Sequence, residues 1–297
     1  MEKKIVLVAG GTGLIGSKLV QALQDQGHEV RVLSRRKNTE NSIGLFHWLP
    51  EIGKIDQEAI EGVQVIINLA GASVAGQRWT QKRKNSIISS RTESAQLLAN
   101  MAALMPDLEH YISASGINAY GYNTGEQQYV ESDPFGEDFL AQVVEKWEAG
   151  ADLFKPHCKV SKLRIGVVFS SEGGAFQRIA WPVKFFVGAP LGHGQQIIPW
   201  VDMDDLVHAF LFVQNKGIDG VFNCINGNVS NEALTKKIAQ VAKRPLILPN
   251  VPALILRLAL GEMSALVLKG LAASNQKLLS EGFEFKENLE SSIKKAL

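Results

Sequence analysis

Three glycines, at positions 10, 13 and 16, constrain this 297-residue chain more than any other feature. They follow the uniformly apolar run Ile5–Ala9, which is typical of a strand buried on both faces, and precede apolar residues at helical spacing. Such a turn needs its first glycine for tightness, its second for approach to a pyrophosphate and its third for helix–strand packing. A glycine-rich turn without a ligand is the alternative. The predicted cofactor-binding residues here are Gly10, Gly11, Thr12, Gly13, Leu14, Ile15 and Gly16.

Strand-like and helix-like segments alternate along the first 170 residues. The predicted strands are 5–9, 29–33, 63–68, 110–113 and 159–165, and the predicted helices include 80–105 and 139–154. This alternation requires right-handed crossovers and a parallel sheet covered on both sides. We interpret the glycine-punctuated stretch after residue 170 as loop-rich, with helices near 204–214, 231–242 and 252–260.

We therefore predict an α/β fold. Its larger part is a Rossmann-type doubly wound parallel sheet over residues 1–170, whose last elements can come from later residues. Residues 171–297 are predicted to form a smaller mixed substrate lobe.

The amino-acid composition argues against several classes of binding partner and of structural site. The chain has 31 Lys and Arg against 30 Asp and Glu, a formal net charge of +1, which argues against a nucleic-acid partner. Two cysteines, Cys158 and Cys224, are too few for a disulfide framework or a cysteine-based zinc site. The first apolar run is too short for a signal peptide or a membrane span. We expect a soluble cytoplasmic protein with a small-molecule substrate and no membrane partner, and we predict no oligomeric state.

The end of the second predicted strand bears on the choice of cofactor. NAD-binding sites of this kind usually carry Asp or Glu at this position, where the carboxylate holds the ribose 2′-hydroxyl. Here the strand ends in Leu33-Ser34-Arg35-Arg36, without a carboxylate. A hydroxyl and two guanidiniums suit a 2′-phosphate, so Ser34, Arg35 and Arg36 favour NADP(H) over NAD(H). A solvated basic turn is the alternative.

Several motifs together resemble the atypical short-chain dehydrogenases/reductases, in particular the YfcH-like branch labelled nucleoside-diphosphate-sugar epimerase. The segments that carry this resemblance are the glycine turn, Asn68-Leu-Ala-Gly71, Arg78-Trp79-Thr80, Ser90-Arg91, Lys146-Trp147-Glu148, Gly192-His-Gly-Gln-Gln-Ile-Ile-Pro-Trp-Val-Asp202, Leu260-Gly-Glu-Met263 and Glu281-Gly-Phe-Glu-Phe285. The last two are similar to the family's short C-terminal domain, which would begin near residue 248.

The resemblance implies further cofactor-binding residues. Leu69, Ala70 and Gly71 would line the cofactor where the fourth strand ends, at the edge of the sheet that binds ligands in doubly wound folds. Arg91 would lie towards the cofactor phosphates. An ordinary strand-to-loop exit and a surface ion pair are the respective alternatives.

The catalytic residues are harder to identify. In related reductases and epimerases, a Ser at the end of the fifth strand binds the reacting oxygen, and a Tyr assisted by a Lys four residues later is the acid/base. Ser115 fits the first role, with Ser113 as second choice. An equal alternative is that the hydroxyl at the end of the strand forms a hydrogen bond with a neighbouring backbone group and has no catalytic role. The Tyr-x-x-x-Lys pair is absent, and Phe139 and Val143 occupy the nearest register.

Five other side chains are candidates to replace the missing pair. They are Tyr120, Tyr122, Glu145, Lys146 and His193. Asp202 or Asp204 is expected to cap a helix, and no ligand cluster for a metal is expected.

Two functions are consistent with this sequence. The first is an NADP(H)-dependent epimerase/dehydratase-like oxidoreductase that acts on a small hydroxyl or carbonyl substrate, with a nucleotide sugar suggested by the family label alone. The second is a non-catalytic NADP(H)-binding redox sensor or structural protein, which the missing Tyr and Lys favour.

Overall fold

The computed structural model describes residues 2–36, 44–122 and 127–297, and its centre is an eight-stranded sheet. In spatial order its strands are β11 (Gly220–Cys224), β8 (Lys159–Ile165), β6 (His110–Gly116), β5 (Val65–Asn68), β1 (Ile5–Ala9), β2 (Glu29–Ser34), β3 (Leu45–Leu49) and β4 (Lys54–Ile55). All neighbours are parallel except β3 and β4. The prediction of an α/β fold with a Rossmann-type parallel sheet and a smaller mixed lobe is confirmed.

Helices cover both faces of this sheet, because its central strands are apolar on both sides. The helices of the chain are α1 (Leu14–Asp25), α2 (Gln81–Ala102), α3 (Phe139–Asp152), α4 (Gly174–Lys184), α5 (Met203–Lys216), α6 (Asn231–Ala242), α7 (Ala253–Leu260), α8 (Ala265–Leu268), α9 (Gln276–Ser280) and α10 (Leu289–Ala296). One core joins α1 and α5 to the face that carries Val6 and Val8, and the other joins α2 and α3 to the face that carries Leu7. No described helix is long and apolar enough to cross a membrane.

The second lobe has a core of its own. Phe176 on α4, Leu234 on α6 and Ile293 on α10 pack around a three-stranded sheet. The strands of the two small sheets are β12 (Gly227–Ser230), β10 (Ile197–Asp202) and β9 (Val167–Phe169) in the first, and β13 (Ala272–Ala273) and β7 (Gln128–Tyr129) in the second.

The stretch after residue 170 is more regular than we predicted. Helix α4 begins directly after Gly173 and buries Phe176, Ala180 and Val183 at helical spacing, a signal that the neighbouring glycines and Pro182 obscure. Strand β11 pairs with β8, so residues beyond 170 complete the large sheet.

Candidate functional site

The glycine turn joins β1 to α1 at the carboxyl edge of the large sheet. Gly10 has φ +79°, and a Cβ there would lie 2.8 Å from the backbone carbon of Leu69. A Cβ on Gly16 would lie 2.2 Å from the Gly10 carbonyl oxygen. The start of α1 can therefore lie this close to the end of β1 only because residue 16 has no side chain. A Cβ on Gly11 would lie 2.8 Å from the side chain of Val32, which adds a third packing requirement.

Gly13 differs from the other glycines of the turn. It is exposed, its φ is −84°, and the nearest atom to an added Cβ is the Gly10 carbonyl oxygen at 3.2 Å. Gly13 is also the N-cap of α1, and no described side chain caps that helix. The first turn of α1 therefore presents backbone N–H groups and the positive end of a helix dipole, an arrangement that binds phosphate in other proteins.

The other predicted residues of the turn serve different purposes. Thr12 is exposed, and Leu14 and Ile15 are half-buried against the core beneath the sheet. Leu14 also reaches the second lobe, because a Cβ on Gly174 would lie 3.1 Å from its Cδ2 atom. The glycine turn thus lies where the two lobes meet.

The end of β5 is fixed beside this turn. The amide nitrogen of Leu69 donates to the Ala9 carbonyl at 2.9 Å. The Asn68 side chain accepts a hydrogen bond from the Ala70 backbone at 3.0 Å and lies 2.8 Å from the hydroxyl of Tyr111, to which it donates. These bonds hold Leu69 and Ala70 against Gly10, where the sequence predicts that they line the cofactor.

Arg91 on α2 lies behind this edge and is buried, with no acidic partner among the described residues. Its Nη1 atom donates to the Ala72 and Ile87 carbonyls at 3.0 and 2.9 Å, and its Nε atom has no partner among the described residues. The guanidinium also lies over the ring of Trp147, 4.6 Å from the ring centroid. Burial, together with the charge of Arg83, lowers the pKa of Arg91 to about 10. The surface ion pair considered as the alternative is not formed with any described carboxylate.

Gly71 connects Arg91 to the end of β5. A Cβ at Gly71 would lie 2.9 Å from the Cζ atom of Arg91, so any larger residue would displace the guanidinium. The following residue, Ala72, donates its backbone N–H to the Ser90 hydroxyl at 2.9 Å, which holds this loop against α2. The glycine turn therefore lies against Leu69 at the end of β5, and Arg91 lies against Gly71 two residues further along the chain.

The end of β2 carries the predicted 2′-phosphate residues. Ser34 is buried, and its hydroxyl accepts a hydrogen bond from the Arg36 backbone at 3.1 Å. The side chains of Arg35 and Arg36 are exposed, and residues 37–43 lie outside the described part of the chain.

Ser115 lies near the end of β6, but its hydroxyl has a partner already. It donates to the Oε1 atom of Glu148 on α3 at 2.6 Å. Glu148 also receives two hydrogen bonds from Arg164 on β8, at 2.8 and 3.0 Å, and Lys162 lies 3.9 Å from it. Burial opposes the charge on Arg164, but the hydrogen bonds and charge of Glu148 outweigh it and raise its pKa. Ser115 therefore belongs to a buried ion network, and its catalytic role stays a prediction.

The register that would hold the acid/base pair is apolar. Phe139 packs edge-on against Trp79, with ring centroids 4.9 Å apart, and Val143 is buried. A Cβ on Gly116 would lie 3.1 Å from Val144, so α3 packs tightly on the end of β6.

Neither nearby tyrosine is prepared to act as a base. The Tyr120 hydroxyl donates to Asn223 at 2.7 Å, and burial raises its pKa to about 12. Burial, reinforced by Asp138, also raises the pKa of Tyr122, whose hydroxyl has no partner among the described residues. A raised pKa disfavours the phenolate that a base requires.

His193 and Asp202 each accept a hydrogen bond from a backbone N–H two residues further along the chain. His193 is exposed, and its Nδ1 atom accepts a hydrogen bond from the Gln195 backbone at 3.0 Å. Asp202 caps α5 through the Asp204 backbone N–H at 2.8 Å, in agreement with one of the two capping roles considered. No group of three or more His, Cys, Asp or Glu side chains among the described residues could hold a metal ion.

Sequence reasoning missed how the second lobe contacts this edge. The loop after Gly71 is bonded by Arg178 on α4, which donates to the Ala75 carbonyl. Arg78 in the same loop donates to the Leu258 and Ala259 carbonyls at the end of α7, at 2.8 and 2.9 Å. These arginines carried no local signal, because each bonds a carbonyl about a hundred residues or more away.

Comparisons with known proteins agree with this architecture. The NAD dependent epimerase/dehydratase family matches residues 6–139, and a domain of unknown function, DUF1731, matches residues 251–295. The epimerase family protein YfhF of Bacillus subtilis is 35% identical over 288 residues, covering 94% of this chain and 93% of that protein. A chloroplastic SDR39U1 homologue of Arabidopsis thaliana is 33% identical, covering 95% and 83%.

Solved structures show the same fold. The human epimerase family protein SDR39U1 with NADPH superposes with a TM-score of 0.89 at 27% identity, and 98% of each chain is covered. The UDP-glucose 4-epimerase of Thermus thermophilus with NAD has a TM-score of 0.76 at 19% identity, over 98% of this chain and 97% of that one, which shows the shared fold alone. The chain therefore belongs to the epimerase family of atypical short-chain dehydrogenases/reductases, with the DUF1731 segment at its C-terminal end.

Proposed function

We propose that this protein binds NADP(H) between the glycine turn and the end of β5 and acts as an epimerase/dehydratase-like oxidoreductase. The observation that carries the proposal is Arg91, a buried guanidinium without a described anion, which lies against Gly71 just after β5. The end of β5 in turn lies against the glycine turn, where no described side chain caps α1. A buried cation is costly unless an anion accompanies it. A dinucleotide pyrophosphate supplies such an anion, and Gly71 leaves the space in which Arg91 sits.

Each predicted cofactor residue has a role in this proposal. The first turn of α1 holds phosphate through backbone N–H groups, and Gly13 lets the phosphate approach that backbone. Leu69 and Ala70 line the crevice where β5 ends, and Arg91 contributes charge from behind them. When bound, the nicotinamide group supplies hydride transfer.

The NADP(H) preference rests on the end of β2. Ser34, Arg35 and Arg36 place a hydroxyl and two cations where NAD-specific sites carry a carboxylate. The human relative, a structure with NADPH, supports the same preference.

The proposed substrate is a small molecule with a hydroxyl or carbonyl group. Relatives named as epimerases and a neighbour solved with UDP-glucose make a nucleotide sugar one member of this class. Ser115 is the proposed catalytic residue. Because its hydroxyl hydrogen is directed to Glu148, its oxygen is left to accept a hydrogen bond from a substrate hydroxyl. In this proposal residues 171–297 supply the substrate lobe, apart from β11.

A specific observation also favours a second function, a non-catalytic NADP(H)-binding sensor or structural protein. The position of the usual base is filled by the Phe139–Trp79 contact, and Tyr120 and Tyr122 have raised pKa values. A panel of carbonyl compounds and nucleotide sugars, followed by NADPH absorbance, separates the two functions. Turnover supports the enzyme, whereas tight NADPH binding without turnover on any member supports the sensor.

The cofactor assignment is tested by Arg35→Asp, which places a carboxylate beside the proposed 2′-phosphate. We expect NADPH affinity to fall about tenfold or more, because a charge-assisted bond is worth roughly 1.5–3 kcal/mol, while NADH affinity changes little. Titration calorimetry with both cofactors measures the difference. Lys54→Asp, at another exposed cation, is the matched control. Equal losses for NADPH and NADH in Arg35→Asp would remove the 2′-phosphate role.

A further inference from the structure

The second lobe exposes an unusual number of large apolar side chains. We call the surface that they form the basic apolar face. Its apolar members are Trp181, Phe185, Phe186 and Val187 at the end of α4, Ile247 and Leu248 after α6, and Leu254, Ile255 and Leu258 on α7. Exposed apolar patches larger than a few hundred Å² are rare on monomeric proteins and usually mark interaction sites.

Hydrogen bonds hold the two segments of this face side by side. The backbone N–H of Val251 donates to the Pro190 carbonyl, and the N–H of Gly192 donates to the Val251 carbonyl, both at 2.9 Å. The Arg244 guanidinium lies over the Phe186 ring at 4.6 Å from its centroid. The end of α4 and the segment that leads into α7 are therefore neighbours, although about 60 residues separate them in sequence.

Helix α7 is the clearest anomaly on this face. Seven of its eight residues are apolar, yet it has no buried residue. Leu254 and Leu258, one turn apart, are 67% and 72% exposed. An apolar stripe on a surface helix normally faces a core, because burial of each such side chain is favourable by roughly 1.5–3 kcal/mol.

Phe186 ends α4 in a left-handed conformation, with φ +64°. The backbone N–H of Val187 donates to the Pro182 carbonyl at 2.9 Å, and that of Phe186 donates to the Val183 carbonyl at 3.2 Å, as in a Schellman cap. This cap leaves the Phe186 ring exposed on the face.

The two sequence segments that form this face contain basic residues and no acidic ones. No Asp or Glu occurs from residue 173 to 201 or from 233 to 261, although the whole chain is nearly neutral. Arg178, Lys243, Arg244 and Arg257 are exposed there, and none forms an ion pair with a described carboxylate. An anionic membrane surface offers an apolar layer beneath its headgroups and negative charge on the headgroups themselves. The exposed aromatic and aliphatic side chains suit the first, and the cations suit the second.

We propose that the basic apolar face binds the surface of a bilayer that contains anionic phospholipid. Trp181, Phe185, Leu254 and Leu258 would enter the boundary between headgroups and acyl chains, and Lys243, Arg244 and Arg257 would meet lipid phosphates. This binding is peripheral and requires no membrane-spanning helix, so it departs from our sequence prediction of no membrane partner.

A second copy of the chain fits the face less well than a membrane does. In a two-fold contact the same surface meets itself, so its cations would approach one another without acidic residues between them. A soluble acidic protein would satisfy the cations but gives no reason for a helix with seven apolar residues out of eight.

The test uses the full chain and extruded vesicles of phosphatidylcholine, with or without about one third phosphatidylglycerol. We expect co-sedimentation with the anionic vesicles at low salt and much less with pure phosphatidylcholine. The double variant Leu254→Gln/Leu258→Gln should lower the partition coefficient at least about tenfold, because two apolar side chains are lost from the interface. Arg244→Gln and Arg257→Gln should each lower it about fivefold.

Matched controls distinguish this face from general stickiness. Ile52→Gln/Leu104→Gln removes two side chains of similar exposure, 69% and 58%, outside the face, and Lys54→Gln removes an outside cation. Both control variants should leave partitioning unchanged. Thermal melting of every variant checks that it is folded. Lipids brominated in their acyl chains should quench tryptophan fluorescence, and Trp181→Phe should abolish that quenching, since Trp181 is 57% exposed.

Three results would overturn the proposal. One is no difference between anionic and neutral vesicles for the folded wild-type chain. Another is equal loss of binding in the face variants and the controls. The third is a lipid-independent dimer in sedimentation velocity, or lipid-independent binding to polyglutamate, that Leu254→Gln/Leu258→Gln weakens as much as it weakens vesicle binding.

Discussion

Two buried arginines in this protein have opposite surroundings. Arg164 is 3% exposed and shares two hydrogen bonds with Glu148, whereas Arg91 is 8% exposed and, within the described parts of the chain, meets carbonyl oxygens and an aromatic ring. The pKa of Arg164 is raised by its partner, and the pKa of Arg91 is lowered to about 10 by burial and by Arg83. The first charge is balanced within the folded chain. The second has no anionic partner in residues 2–36, 44–122 and 127–297, which is the reason to propose a ligand beside it.

The largest expected effect comes from breaking the balanced pair. Arg164→Met leaves Glu148 buried and without its main partner, so we expect the free energy of unfolding to fall by about 3–5 kcal/mol. Urea denaturation measures it. The double variant Arg164→Met/Glu148→Leu should recover part of the loss, because no uncompensated charge remains. Additive losses in the double variant would show that the pair is not coupled.

Arg91→Met tests the arginine that has no described anionic partner. We expect the unfolding free energy without cofactor to change by less than about 1 kcal/mol, because a buried charge is lost together with its carbonyl bonds, and methionine keeps a contact with Trp147. NADPH affinity should nevertheless fall roughly 10- to 100-fold. Denaturation and calorimetry on the same variant give both values. A stability loss as large as that of Arg164→Met, with affinity intact, would make Arg91 a structural residue as well.

The smallest effect is expected at Ser115. Ser115→Ala removes one hydrogen bond to Glu148 while Arg164 still holds that carboxylate, so we expect a stability loss of about 1 kcal/mol and unchanged NADPH affinity. Any turnover found with the substrate panel should decrease. If the rate is unchanged, Ser115 has only its structural bond to Glu148.

The sequence predicts the parts of the fold and site that depend on consecutive residues, and it misses those that depend on contacts between distant segments. The glycine turn is local, since its strand, its three glycines and its helix are consecutive, and the predicted strands 5–9 and 159–165 match the observed bounds. Arg91 was placed near the phosphates only by resemblance, because its burial depends on Gly71 and Trp147 from other segments. The bond between Ser115 and Glu148 spans 33 residues and left no local pattern.

Strand β11 has a consequence for how the protein is made. It pairs along β8 from Gly220 opposite Ser161 to Cys224 opposite Ile165, and it reaches the sheet only after α4, β10 and α5 have been synthesised. Until then β8 is an open edge, with unpaired backbone groups that can recruit strands of other chains. A fragment that stops near residue 170 would keep this edge permanently and be prone to aggregate. The large sheet is therefore completed late in translation, by a strand that follows a substantial part of the second lobe in sequence.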